Sequence, residues 1–383
     1  MKKALLIPDS FKGSMPAREV CIIMEKSIRQ YYPNTEIISI PVADGGEGSV
    51  DCFLSAVGGE KIFLPVQGVF GDEMIGYYGL LQDGKTAIVE MACCAGLPLA
   101  EGRLNPKTAT TYGVGQLILA AAQKGVKRII VGLGGSATND GGCGAASAVG
   151  VRFFEDSGNC FVPTGGTLKN ITRIDASAIS PSLQSVEIVA MCDIDNPMYG
   201  ESGAAYVFAP QKGADSQAVA ELDEGLRHLA HVIKKDLGKD VSTLPGGGAA
   251  GAMGAGMYAF FSAELKMGID VVLDTTEFDK KLKGTDLVFT GEGKIDEQSL
   301  HGKAVIGVAR RAKLQSVPVI AVVGDIGEGA EGAYKEGVTA IFSTNNLAVD
   351  FNTAKKRAHK DLEKTMDNIM RFYGTIHNNK NSE

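Results

Sequence analysis

The chain has 383 residues, 44% apolar and 22% charged, the proportions of a globular protein large enough for two cores. A net charge of −7 argues against a general binder of nucleic acid or of a membrane surface, while leaving room for a local basic pocket. Seven dispersed cysteines without a Cys-x-x-Cys pair read as reduced thiols of a cytoplasmic protein, not as a disulfide framework or a zinc site.

The first apolar run, Ala4 to Ile7, stops at Pro8 and Asp9, so it is too short for a secretory core and reads as a strand. Ser14 and Pro16 suit a helix start, and Val20, Ile23, Met24, Ile28 and Tyr31 recur at helical spacing behind them. Glu36 to Val42 is the next strand. Val50, Phe53, Leu54 and Val57 stripe a second helix closed by Gly58 and Gly59. Between Lys61 and Glu90 several strand-like runs are joined by Gly71-Asp72 and Asp83-Gly84, which are hairpin signals. Ile129 to Leu133 and Val186 to Met191 are further short apolar strands. His228 and His231 share a helical face, where a solvated surface is the simpler reading than a metal site. Leu244 to Ala263 is uncharged and of membrane-span length, but its Gly and Ala content makes it a poor hydrocarbon-facing helix. Strand and helix alternate again from Asp286 to the last helix, which carries Ala358, Leu362, Met366, Ile369 and Tyr373 on one face.

Alternation at both ends predicts an α/β fold with a doubly wound parallel sheet built from residues 1–60 and 283–383. Residues 61–282 are expected to form an inserted domain on a mixed sheet, with the ligand cleft between the two. Nothing in the pattern distinguishes a monomer from a homodimer.

The chemistry-bearing residues gather where strands end. Gly132-Leu-Gly-Gly-Ser-Ala-Thr-Asn-Asp-Gly-Gly142 follows one strand. It lacks the Gly-Lys-Ser/Thr of a P-loop and the Gly-x-Gly-x-x-Gly of a dinucleotide fold. A tight strand-to-helix turn would use the same glycines, but Ser136, Thr138, Asn139 and Asp140 add polar groups that want a partner. Similar loops are Asp9-Ser-Phe-Lys-Gly13, with Ser10 and Lys12 before a helix, and Asp44-Gly-Gly-Glu47. Others are Cys192-Asp-Ile-Asp-Asn-Pro197, Pro210-Gln-Lys-Gly-Ala214 and Thr290-Gly-Glu-Gly-Lys-Ile-Asp296. In open α/β sheets, ligands bind beyond the carboxyl ends of strands. Amide donors, lysines and carboxylates together are the equipment of phosphoryl transfer.

Through these same segments the chain resembles the bacterial type-1 glycerate kinases over nearly its whole length. It departs at Asp195, where that family more often has an apolar residue. The resemblance implies phosphorylation of D-glycerate by ATP with Mg²⁺, a flavodoxin-like domain beside a mixed α/β domain, and 2-phosphoglycerate as product, with 3-phosphoglycerate the older naming. On this reading Asp193 is the first candidate for the carboxylate that accepts the hydroxyl proton, and Asp140 the second. Lys12 and Lys212 would neutralise phosphate or substrate carboxylate, and Glu292 with Asp296 would hold Mg²⁺. Ser10, Asp44, Gly45, Gly46, Gly134, Gly135, Ser136, Thr138, Asn139, Gln211 and Gly291 complete the expected binding set. Two other readings stay open at this point: a Mg²⁺-dependent phosphohydrolase using Asp193 and Asp195, and a non-enzymatic binder of hydroxy acids.

Overall fold

The short apolar runs Lys3–Pro8, Thr86–Glu90, Arg128–Gly132, Leu287–Gly291 and Val319–Val323 become strands buried on both faces, as the central strands of parallel sheets are. In the computed structural model, which describes residues 1–11, 13–43 and 45–380, the chain divides into two units. The first comprises Met1–Ala43 and Met267–Glu383, the second Asp44–Lys266. The sequence places these divisions at 60/61 and 282/283. The displacement has a physical reason: the helix Ser49–Val57 packs on the strands Glu73–Leu81 and Thr86–Glu90 of the second unit.

The main sheet of the first unit has five strands, all parallel. Across the sheet they run Ala340–Ser343, Val319–Val323, Leu287–Gly291, Lys3–Pro8 and Glu36–Ser39. Numbered along the chain, that order is 2-1-3-4-5, the flavodoxin-like arrangement, and it reverses direction between Lys3–Pro8 and Leu287–Gly291. The helix Ala17–Tyr31 turns Val20, Met24 and Ile28 onto one face of the sheet. Leu362 and Met366 of the long helix Phe351–Lys380 join the same cluster. Burying each such side chain contributes about 1.5–3 kcal/mol. The helix start differs from expectation in one detail. Pro16 occupies the cap position, and Ser14 donates its hydroxyl to the Phe11 carbonyl at 2.9 Å, closing the preceding turn instead.

The second unit carries a six-stranded mixed sheet in the order Glu264–Lys266, Glu187–Met191, Arg128–Gly132, Thr86–Glu90, Glu73–Leu81 and Gly59–Gln67. The first four are parallel to one another; the last two form the antiparallel hairpin that the Gly71-Asp72 turn predicts. Gly132 is in register with both Met191 and Glu90, so three carboxyl-terminal strand ends lie side by side. The uncharged stretch 244–263 becomes a tight turn and the buried helix Ala249–Phe261. Among the described residues no helix is long and apolar enough to cross a membrane. His228 bonds the Ile171 carbonyl at 2.7 Å, a structural contact. No disulfide joins any of the seven cysteines.

Candidate active site

In the second unit the loops after Gly132 and Met191 leave adjacent parallel strands in the same direction, and a third loop, around Gly45 and Gly46, folds over them. The Gly134 N–H donates to the Gly45 carbonyl at 3.0 Å. A Cβ on Gly134 would stand 2.6 Å from the Gly46 Cα, so only glycine permits this approach. The overlying loop is itself anchored by Glu90, which ends its strand buried. Its carboxylate accepts from the Val50 N–H at 3.0 Å and from the Tyr77 hydroxyl at 2.7 Å. The sequence concealed Glu90 inside an apolar run. Its one signal was an acid at a strand end.

The segment from Ser136 to Asp140 is wholly buried. Asp140 accepts from the Thr111 N–H and hydroxyl, both at 2.8 Å, and from the N–H groups of Gly142 at 3.1 Å and Gly144 at 3.2 Å. Burial raises its pKa against the lowering effect of those donors. Lys212 is equally buried. Its ammonium group donates to the Ser136 hydroxyl at 2.9 Å and the Thr138 carbonyl at 2.6 Å. Desolvation brings it down to about 7, opposed by the Asp140 charge. Both residues therefore hold the glycine-rich loop in shape from beneath. The Thr138 hydroxyl and both polar atoms of the Asn139 side chain are buried with no protein partner among the described residues. Buried groups without a partner are rare and ask for a ligand or ordered water.

A segment that carried no chemical signal supports two of these loops at once. Ala250, Gly251 and Ala252 have φ of 55°, 67° and 66°, a left-handed turn that alanine rarely adopts. A Cβ on Gly251 would lie 2.0 Å from the Thr138 carbonyl oxygen. The neighbouring Gly248 N–H donates to the Asn196 carbonyl at 2.9 Å. Asp193 and Asp195 are exposed on the loop so braced, and Gly135 and Gln211 are exposed nearby in sequence to Ser136 and Lys212.

In the first unit the reversal point of the sheet is flanked by Asp9 and Ser10 after one strand, and by Glu292 after Gly291 on its neighbour. The Asp9 N–H donates to the Gly291 carbonyl at 2.8 Å, joining the two ends. Glu292 is buried, and its Oε1 has no partner among the described residues. Burial pushes its carboxyl up to about 7, opposed by the Ser299 hydroxyl and Lys303 and reinforced by Asp9 and Asp296. Asp296 caps the short helical turn Glu297–His301 by accepting from the Gln298 N–H at 3.0 Å, and its second oxygen lies 3.5 Å from Lys294. Lys12 and Asp44 lie outside the described residues.

A sequence profile of the glycerate kinase family matches residues 4–374. A protein of Halalkalibacterium halodurans called glycerate kinase is 45% identical over 96% of this chain and 97% of its own. One of Escherichia coli called glycerate 2-kinase is 42% identical over 96% and 97%. A crystal structure provisionally assigned as glycerate kinase 2 of Salmonella typhimurium superposes with a TM-score of 0.87 at 38% identity, covering 98% of this chain and 99% of that one.

Proposed function

Because the chain belongs to the glycerate kinase family, we propose that it transfers the γ-phosphoryl group of ATP to D-glycerate, forming 2-phosphoglycerate in the cytoplasm. The observation that carries this reading is the match along essentially the full length of named glycerate kinases, with every polar strand-end loop inside the matched span. Support for the 2-position comes from the Escherichia coli relative called glycerate 2-kinase.

The buried elements distribute the roles. Asp193 is the carboxylate that takes the proton of the attacking hydroxyl. It is exposed at a strand end, whereas Asp140 already accepts four hydrogen bonds. Asp140, Thr111 and Lys212 then preorganise the Gly134–Gly142 loop, whose backbone donors and Asn139 amide bind the anionic substrate or the transferring group. Preorganised donors matter most in such a reaction, because catalysis is largely positioning and charge stabilisation.

Mg²⁺ fits the first unit. The described residues hold no cluster of three metal-ligating side chains. Mg²⁺ nevertheless needs only one or two carboxylates when nucleotide phosphates and water supply its other oxygens. The partnerless Oε1 of Glu292 meets that requirement, with Asp9 beside it; Asp296 stands behind them as a helix cap. When bound, the metal would neutralise charge on the phosphates.

Glycerate-dependent ADP release, measured by a coupled assay over glycerate, glycolate, lactate and tartronate, tests the activity. ³¹P NMR of the product then locates the phosphate. Phosphate release from phosphoesters without ATP would support a hydrolase instead.

A further inference from the structure

The first unit contains a hollow of about 220 Å³ at the carboxyl edge of its parallel sheet. Phe11 enters it after the strand Lys3–Pro8, Gly293 after Leu287–Gly291, Asp325 after Val319–Val323, and Thr344 with Asn345 after Ala340–Ser343. It therefore extends from the reversal point of the sheet, where Glu292 sits, towards the edge strand. Phe351, at the start of the long last helix, forms its outer wall. That ring is 63% exposed and rests over Gly13, where a Cβ would meet it at 3.4 Å.

We propose that this hollow holds the adenine nucleoside of ATP, with Phe351 covering one face of the base and Asn345 reading its edge. The inference rests on the kinase reading and names a part of it that the family match does not supply. Size is the first reason. Whole drug-sized ligands fill roughly 300–1,000 Å³, so this volume suits a nucleoside whose phosphates continue outward.

Charge is the second reason. Among the described residues, the charged groups lining the hollow are the carboxylates of Asp325 and Asp361 and the ammonium of Lys355. Asp361 is already paired with Arg357 at 3.0 Å. With Asp361 so paired, Asp325 and Lys355 balance each other, and this nearly neutral lining offers a carboxylate to the hydroxyls of an uncharged ribose. The chemistry of the walls is the third. Phe11, 3% exposed, provides a fixed apolar floor, and the exposed Phe351 ring has an open face, the arrangement on which bases stack. The Asn345 carboxamide offers a donor and an acceptor together, the pair that matches adenine N7 and its N6 amino group. The phosphates then run towards Ser10 and Glu292 at the reversal point.

A larger hollow of about 580 Å³ lies beside the helix Ala304–Leu314, and it does not compete. Its arginines and its lysine are engaged: Arg310 with Glu336, and Arg311 with Asp274 and Asp279, each at 2.6 Å, while Lys313 donates to the Lys335 carbonyl at 2.7 Å.

The test uses Phe351→Ala and Asn345→Ala, both at exposed positions, in the full-length protein. Steady-state kinetics with ATP and glycerate are combined with direct calorimetric titration of the unmodified-ribose analogue AMP-PNP. Removing a stacked aromatic should raise the KM for ATP and weaken the analogue roughly 5- to 100-fold, with the KM for glycerate within about twofold of wild type. Asn345→Ala should in addition erode the preference for ATP over GTP. If both variants keep the wild-type KM for ATP and the wild-type analogue affinity, the nucleoside lies elsewhere and the kinase reading survives. A wild-type protein that does not phosphorylate glycerate sinks the kinase reading, and the titration still decides whether this hollow binds nucleotide.

Discussion

Glu292 makes the stability of the ligand-free protein depend on pH in a calculable way. Its carboxyl is raised from an ordinary 4.5 to about 7 in the folded chain. Below 4.5 both folded and unfolded states hold the proton. Between 4.5 and 7 the folded state keeps it while the unfolded state loses it, so stability falls as pH rises. Above 7 the loss is complete, and at about 1.4 kcal/mol per pH unit it amounts to roughly 3 kcal/mol. Glu292→Gln cannot titrate and escapes this loss; any packing penalty of the amide is the same at every pH. Urea denaturation followed by far-ultraviolet circular dichroism, in EDTA at pH 5 and pH 8, isolates the effect. Relative to the variant, the wild type should weaken by about 2–3 kcal/mol between those values. Mg²⁺ with ATP at about a hundred times its Kd should return some 2.7 kcal/mol to the wild type at pH 8, and less to the variant. A wild-type-minus-variant difference that is flat from pH 5 to pH 8 would show that the buried carboxyl is not held protonated.

The remaining predictions concern the second unit. Asp193→Asn should lower kcat by about 10²–10⁴ while its melting curve overlies that of the wild type; near-wild-type turnover removes Asp193 as the base. Gly134→Ala drives a methyl group to within 2.6 Å of Gly46. It should cost about 1–3 kcal/mol of stability together with most of the activity, read from melting and the coupled assay. Lys212→Met strands the Ser136 hydroxyl and the Thr138 carbonyl in the interior, at about 1–3 kcal/mol each. Because Lys212 is depressed to about 7, the wild type gains stability as pH rises from there towards its ordinary 10.5. The penalty of Lys212→Met should accordingly be larger at pH 9 than at pH 7.

Much of the fold was legible because short apolar runs bounded by glycine, proline and acids have few other readings. The parallel sheet of the first unit and the hairpin of the second followed from those runs and from the residues between them. The helix Ser49–Val57 shows where that reasoning stops. Its apolar stripe announces a buried face but not which sheet receives it, and the unit boundary moves with that choice. Lys212 shows a second limit. Its Pro-Gln-Lys-Gly turn marks it as a cation for phosphate or substrate carboxylate, and only the folded chain reveals Ser136 and Thr138 around its ammonium group. Glu90 and Thr111 stayed hidden for a related reason: each acts on backbone N–H groups far away in sequence, and such pairings leave no local pattern. The exposed Asp193 and the partnerless Asn139 lie in loops whose composition had marked them.

At Gly251 the left-handed turn Ala250–Ala252 meets the main chain of Thr138 and Asn139. A scaffold of that kind is indifferent to what the braced loops display, provided nothing bulkier is inserted into the turn itself. Redesign for another hydroxy acid should therefore begin with the outward side chains of Asp195 and Gln211 and leave the glycine segment untouched. Those positions offer room for chemical variety, while the backing behind them is left as it is.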